Sequence, residues 1–228
     1  MQVTEDGAAS KAEQLAHARP AVERWLSWSG LVPLPAFLCI HLSRELGLAF
    51  ADDVSDVLRP APGAFAQVTS WLLVWLPLLV HALLGVYLLL AGRPLAPPPN
   101  GEMPRLARVV SRASAVLALA FVLVHARAYA LPVWLGQADA RDAGFRLLAE
   151  LSSTQLGVPV LSGVYLLGLL ATAAHGSIGL HSGLARAGLL ETAARRQRSA
   201  RACAAFGVLV FGVGAMAVIR VASGVLVR

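Results

Sequence analysis

The chain has 228 residues, of which 57% are hydrophobic and only 14% are charged, whereas a soluble domain carries roughly 25% charged residues. This composition excludes a secreted disulfide scaffold, a disordered tail and an ordinary soluble globule. Basic residues outnumber acidic ones by 19 to 13, but the arginines flank apolar segments, which is typical of membrane boundaries. The sequence therefore predicts an integral protein of the lipid bilayer, with no nucleic-acid partner.

Five apolar stretches are long enough to cross a membrane, which requires about 20 residues. They are Trp25–Phe50, Phe65–Ala91, Val109–Leu135, Thr154–Leu184 and Ala202–Val227. The breaks between them are rich in proline, glycine or charge, as loops are. Because runs of this length satisfy their backbone in lipid only as helices, we predict an all-α integral membrane bundle of five transmembrane helices.

The distribution of arginine predicts how the bundle is oriented. Arginines accumulate in the second and fourth breaks, between residues 93 and 112 and between 186 and 201, whereas the first and third breaks balance basic with acidic residues. Because cytoplasmic loops carry the excess of Arg and Lys, we expect residues 1–23 to form a cytoplasmic arm. Residues 24–228 then form the five-helix transmembrane domain, with its C-terminus outside. The expected location is the inner (cytoplasmic) membrane of the cell, as a multi-pass protein.

Histidines inside the spans carry the functional signal, because ionisable groups within a membrane usually mark a functional site. At about 1.5 Å per residue, His41 and His125 lie ~26 Å from the arginines that flank their helices on the cytoplasmic side. His81 and His175 lie ~17 to 18 Å from theirs. The fifth, His181, lies at only ~8 Å and has no partner at its level. The histidines thus form two pairs at two depths.

Two histidines at one depth, without nearby carboxylates or thiolates, are typical of the axial ligands of a haem. A zinc site would require three or four clustered ligands, and Cys39 and Cys203 lie far apart within apolar runs. Since no C-x-x-C-H motif occurs, the haems would be non-covalent and b-type. Small residues near the histidines, such as Gly85 and Gly179, suit the close approach of a macrocycle or, equally, ordinary helix packing in lipid.

With these residues in place, the sequence resembles the di-haem cytochrome b subunit of succinate dehydrogenase and fumarate reductase, of the type with one five-helix membrane subunit. The likeness extends from about Arg24 to the end of the fifth span. It is carried by FLCIHL around His41, WLPLLVHALLGVYLLLAG around His81, FVLVHARAY around His125 and LLATAAHGSIGL around His175.

The resemblance implies two b haems, the outer one held by His41 and His125 and the inner one by His81 and His175. It implies partners at the cytoplasmic face, namely a flavoprotein subunit with FAD and an iron–sulfur subunit with its clusters. The chain would then be the non-flavin membrane subunit of an enzyme whose dicarboxylate chemistry lies on a partner. It would carry electrons between the iron–sulfur subunit and a membrane quinone, menaquinone by similarity. Some fumarate-reducing relatives have a proton-route glutamate where this chain has Ala173, so that route is not assigned.

Secondary candidates lie near each predicted haem. Glu45 follows the first histidine by one turn on the same helical face; it is a candidate proton carrier for the quinone or, alternatively, the partner of Arg44 in an interfacial ion pair. The candidate contacts of haem propionates or quinone are Arg127 and Tyr129 at the outer level, and Arg112 and Ser27 at the inner level. For the arginines, snorkelling to the membrane surface is the competing interpretation.

Two other functions stay open at this point. A haem-free small transporter or proton channel could use the buried histidines as a relay, although such relays usually include carboxylates and the spans contain none at depth. A membrane cytochrome b that serves a hydrogenase or formate dehydrogenase would share the cofactor but not the motif context.

Overall fold

The computed structural model describes residues 21–50, 68–92 and 104–223, without the side chains of residues 43–49 and 140. The N-terminal arm predicted for residues 1–23 therefore lies almost entirely outside the described residues. Within the described ranges the chain is all-α, and short turns connect its helices. The predicted fold class is confirmed.

Six helices make up the described part of the chain. Helix α1 covers residues 21–50 and bends at Val32, just before the segment Pro33–Phe50. The others are α2 (Val68–Leu90), α3 (Arg105–Trp134), α4 (Ala140–Ser152), α5 (Val160–Arg186) and α6 (Ala193–Ala222). All except α4 are long and apolar enough to cross a membrane, so the chain is a multi-pass membrane protein. We call the end of the bundle that holds Arg105 and Arg186 the inner end, and the opposite end the outer end.

Two helix starts differ from the predicted ones by six residues or more, each for a local reason. Helix α5 begins at Val160 rather than Thr154, because Gln155 and Val158 exchange backbone hydrogen bonds in a tight turn. Helix α6 begins at Ala193, because the arginine-rich segment before the fifth apolar run is helical. Its first turn is capped by Thr192, whose hydroxyl accepts a hydrogen bond from the backbone N–H of Arg195 at 3.2 Å.

Helix α5 is the central element and packs against both α3 and α6. Glycine makes the contact with α6 close, since a Cβ added at Gly207 would lie 3.0 Å from Cβ of Ser177 and 3.2 Å from the carbonyl oxygen of Ala173. The hydroxyl of Ser177 donates to the carbonyl of Cys203 at 2.8 Å. Small residues that let helix backbones approach are the usual means of association in lipid, where the hydrophobic effect contributes little.

The third break, predicted as a charged loop, contains helix α4, so that prediction is wrong. Asp139 caps this helix by accepting a hydrogen bond from the backbone N–H of Arg141 at 2.7 Å. One face of α4 is apolar and covers the outer ends of α3, α5 and α6. Leu148 and Leu151 of this face form a buried cluster with Tyr129, Tyr165, Val218 and Val221 of those helices. Helix α4 thereby places polar side chains directly above the outer histidine level.

Candidate functional site: two histidine pairs

The structure brings four of the intramembrane histidines together in two pairs. The ring centroids of His41 on α1 and His125 on α3 lie 6.4 Å apart, and we call these residues the outer pair. The ring centroids of His81 on α2 and His175 on α5 lie 6.1 Å apart and form the inner pair. Each pair joins two helices that are not consecutive in the chain, so only the folded bundle assembles it.

The spacing within each pair suits a shared metal ion. Two imidazoles that coordinate one ion from opposite sides, through bonds of about 2.0 Å, have ring centroids roughly 6 Å apart. The ring planes meet at 68° in the outer pair and 62° in the inner pair, which axial coordination permits because each ring can rotate about its metal–nitrogen bond. Among the described residues, no group of three or more His, Cys, Asp or Glu side chains could hold a metal ion. The donor set thus fits bis-imidazole iron better than zinc.

The backbone of α1 fixes the tautomer of His81. Its Nδ1 lies 3.0 Å from the carbonyl oxygen of Leu26 and 3.5 Å from the hydroxyl of Ser29. Because a carbonyl only accepts hydrogen bonds, Nδ1 carries the proton and Nε2 keeps its lone pair in the neutral ring. Histidines that bind metals are commonly held in this way, through a hydrogen bond from the second ring nitrogen to a carbonyl.

A glycine makes this contact between α1 and α2 possible. A Cβ added at Gly30 would lie 2.6 Å from Cε1 and 2.7 Å from Nδ1 of His81, closer than any side chain tolerates. By contrast, a Cβ added at Gly85 or Gly179 would meet no described atom within 4 Å. The glycine that matters sterically is therefore opposite the histidine, not next to it in the sequence.

His175, the other member of the inner pair, is held less firmly. Its Nδ1 is buried and makes no hydrogen bond of normal geometry within the described residues, although its ring lies beside the backbone of Ser111 on α3. A buried polar nitrogen without a partner is costly in a membrane interior. Coordination of His175 to a metal ion would fix its ring in place.

Aromatic side chains surround the outer pair. The ring of Phe37 stacks on that of His41 at 5.3 Å and contacts Trp75 at 5.7 Å. Trp134 in turn contacts Trp71 at 4.8 Å and Trp75 at 4.6 Å. Tryptophan clusters of this kind are typical of the membrane–water interface. This cluster is what a membrane boundary at the outer end of the bundle, close to the outer pair, would require.

Helices α2 and α3 each contain a π-helical segment near the level of the outer pair. These segments are Trp71–Trp75 in α2 and Ala126–Ala130 in α3. Single π turns interrupt the regular hydrogen bonding of an α-helix and occur frequently at functional sites. One segment carries Trp71 and Trp75 of the aromatic cluster and the other directly follows His125, so both belong to the outer level.

A polar network connects the outer pair to α4. The hydroxyl of Tyr165 lies 2.8 Å from Nδ1 of His125 and next to the hydroxyl of Tyr129. Tyr129 in turn donates to the carboxylate of Glu150. Arg146 approaches that carboxylate at 4.0 Å, lies over the ring of Tyr129 and donates to the carbonyl of Ala128. Tyr129, predicted as a contact near the outer haem, is therefore buried beside His125, with ring centroids 5.5 Å apart.

The other predicted site residues lie in three different settings. Ser27 lies at the inner end, where its hydroxyl accepts a hydrogen bond from Nε of Arg186 at 2.9 Å. Arg112 and Arg127 are exposed on α3, and among the described side chains neither contacts a histidine pair. Glu45 and Arg44 lie on the helical backbone of α1, but their side chains fall outside the described ones.

His181, which has no partner by depth, makes its hydrogen bond with the hydroxyl of Ser199 on α6 at 3.0 Å. It thus belongs to the α5–α6 interface rather than to either pair. Sequence reasoning missed Gly30, Tyr165, Glu150 and Arg186. Of these, only Tyr165 had a usable signal, since it lies ten residues outward of His175 on the same helix and hence near the outer level.

A shallow recess lies between α1 and α2, where it is lined by Gly30, Phe37 and His81, and it encloses essentially no space for even a water molecule. Ligand pockets usually measure about 300–1,000 Å³, so a macrocycle held by His81 requires α1 and α2 to separate further. The imidazole nitrogens of the two pairs therefore suit an iron porphyrin as ligands, whereas the recess beside His81 is too small to hold the porphyrin ring.

Comparisons with protein-family models, with curated proteins and with solved structures give no match to this chain.

Proposed function

We propose that this chain is the di-haem cytochrome b membrane subunit of a succinate:quinone oxidoreductase, a succinate dehydrogenase or fumarate reductase. It would carry electrons between an iron–sulfur subunit and membrane quinone, with the flavoprotein and its dicarboxylate chemistry on the cytoplasmic side. The observation that carries the proposal is the presence of two imidazole pairs, at two levels of one bundle, each with the spacing of two ligands on one metal ion.

The residues of the pairs have the chemistry that haem ligation needs. His41 and His125 would hold the outer haem, and His81 and His175 the inner one; when bound, the haems supply one-electron redox chemistry. The hydrogen bond from His81 to the carbonyl of Leu26 keeps Nε2 unprotonated as a ligand. All four histidines are partly buried between the apolar helices of the bundle.

The outer level also has features that suit a quinone. The cluster of Phe37, Trp71, Trp75 and Trp134 lies at the depth where a lipid-soluble ring would enter from the bilayer. The carboxylate of Glu150 is half-exposed there and hydrogen-bonded to Tyr129. We therefore propose that quinone, menaquinone by resemblance, reacts near the outer pair. We also propose that the chain lies in the inner membrane of the cell, with its arginine-rich inner end facing the cytoplasm.

The deciding experiment is a reduced-minus-oxidised absorption spectrum of the purified chain, together with any subunits that accompany it. We expect b-type bands and about two haems per chain. His81→Ala and His175→Ala should each remove one haem, whereas His181→Ala, the matched control, should remove none. Succinate-dependent reduction of a quinone analogue by the intact complex would then test the catalytic role.

The alternative is a haem-free small transporter or proton channel with a histidine relay. It predicts no haem bands in the same spectrum and proton flux into vesicles that contain the chain. A chain that binds no haem when expressed with an adequate haem supply would overturn the cytochrome proposal.

A further inference from the structure

The two histidine pairs differ in what holds the second nitrogen of their rings. In the inner pair, Nδ1 of His81 is bonded to a backbone carbonyl, that of Leu26, which carries no net charge. In the outer pair, Nδ1 of His125 is bonded to a side chain, the hydroxyl of Tyr165, at 2.8 Å. The hydroxyl of Tyr165 lies next to that of Tyr129, which donates a hydrogen bond to the carboxylate of Glu150. We call the series Glu150, Tyr129 and Tyr165 the tyrosine chain.

The direction of the hydrogen bonds follows from the carboxylate at its end. An ionised carboxylate only accepts, so Tyr129 must donate its proton to Glu150. The oxygen of Tyr129 is then free to accept from Tyr165, and the oxygen of Tyr165 to accept from the Nδ1–H of His125. Every donor along the series thus points toward Glu150, and Nε2 of His125 keeps its lone pair.

We propose that Tyr165, Tyr129 and Glu150 are positioning residues for the outer pair, and that they connect Nδ1 of His125 to a negative charge at the outer surface. This inference rests on the proposed function, since its effect is exerted on iron bound by His125. A hydrogen bond from the second ring nitrogen raises the basicity of a metal-bound imidazole. Aligned hydrogen bonds that end on an anion polarise one another and strengthen this effect.

The tyrosine chain should therefore favour the oxidised state of iron bound at the outer pair, because a more electron-rich imidazole stabilises the higher positive charge of that iron. The location of its members supports this role. Tyr129 and Tyr165 are buried in the cluster beneath α4, so little solvent competes for their hydrogen bonds. The side chain of Glu150 is 47% exposed. Its charge would act on the ring of His125 through the two tyrosine hydroxyls rather than by direct contact.

Redox titration of the holoprotein, monitored in the haem absorption bands, tests the proposal. Tyr165→Phe, Tyr129→Phe and Glu150→Gln keep the shape of each side chain but interrupt the chain at successive points. We expect each to shift the midpoint potential of one haem to more positive values, with the largest shift for Tyr165→Phe. The second haem should keep its potential in all three variants.

A charge-matched control distinguishes an effect of the tyrosine chain from a general effect of negative charge on α4. Asp142→Asn removes an exposed carboxylate from the same helix, α4, and should leave both potentials unchanged. The double variant Tyr165→Phe/Glu150→Gln should shift the potential no further than Tyr165→Phe alone, because the connection is already broken.

The outcomes distinguish this inference from the proposed function. Two bound haems with unshifted potentials in Tyr165→Phe and Glu150→Gln, or equal shifts of both haems, would overturn the inference and leave the cytochrome assignment intact. An equal effect of Asp142→Asn and Glu150→Gln would also overturn it. Absence of haem from the wild-type chain would overturn both proposals together.

Discussion

The backbone of Gly30 and the ring of His81 touch so closely that no side chain fits between them. A Cβ at position 30 would lie 2.6 Å from Cε1 of His81. The same approach places Nδ1 of His81 3.0 Å from the carbonyl of Leu26. A single glycine on α1 therefore determines where a candidate haem ligand on α2 lies, and this relationship gives the first prediction.

Gly30→Ala should displace the His81 ring and break its hydrogen bond to Leu26. We expect the purified variant to retain about one haem per chain instead of two, since the outer pair is untouched. The matched control is Gly85→Ala, on the same helix as His81, where an added Cβ meets no described atom within 4 Å. Haem content is measured from the absorption of the extracted pyridine complex, and equal haem content in both variants would contradict the prediction.

The second prediction concerns the α5–α6 interface. Gly207→Leu should force Ser177 and the backbone at Ala173 away from α6 and weaken the hydrogen bond from Ser177 to Cys203. Overpacking of this kind costs about 1–3 kcal/mol. The control, Gly212→Leu, adds the same side chain to an exposed position of α6 with no described atom within 4 Å. Unfolding in detergent micelles should show a loss of stability for the first variant only.

The third prediction concerns Ser27 and Arg186, which link α1 to α5 at the inner end. The guanidinium donates to the serine hydroxyl at 2.9 Å, and both groups are partly exposed. A double-mutant cycle with Ser27→Ala and Arg186→Gln should give a coupling energy of about 0.5–1.5 kcal/mol. Additive losses of unfolding free energy in the two single variants would show that the bond contributes nothing to stability.

The fourth prediction concerns membrane orientation. A cysteine introduced at Asp142 on α4 should react with a membrane-impermeant maleimide added outside intact cells. A cysteine introduced at Arg198, in the arginine-rich first part of α6, should react only after the membrane is opened. The native Cys39 and Cys203 lie within membrane-spanning helices, and replacing both with serine removes any background. The reverse labelling pattern would mean that the inner end faces outward.

The sequence predicted the pairing of the histidines by depth, because a helix advances by a constant 1.5 Å or so per residue and depth follows from counting. It could not predict the partners of their second nitrogens. Whether Tyr165 faces His125, or Leu26 faces His81, depends on the rotation of each helix about its axis and on the π turns, neither of which composition reveals. The small residues next to the histidines in the sequence are not the ones that position the rings, since Gly30, which contacts His81, belongs to another helix.

Helix α4 illustrates a second limit of the sequence. Asp139, Asp142 and Arg141 make the segment look like a loop, but its apolar residues recur at helical spacing and cover the buried cluster. From the sequence, the third break shows only a balance of acidic and basic residues, and nothing in it singles out Glu150. The position of Glu150 above Tyr129 depends on α4 folding back over α3 and α5.

The contrast between main-chain and side-chain hydrogen bonds at the two levels has an evolutionary consequence. Substituting Leu26 does not delete the carbonyl that holds His81, so point mutations have little means of retuning the inner level gradually. The hydroxyl that holds His125 disappears with one nucleotide change, from tyrosine to phenylalanine at position 165. On the proposed function, related chains that use quinones of different potential should therefore diverge at the outer level while their inner level stays uniform.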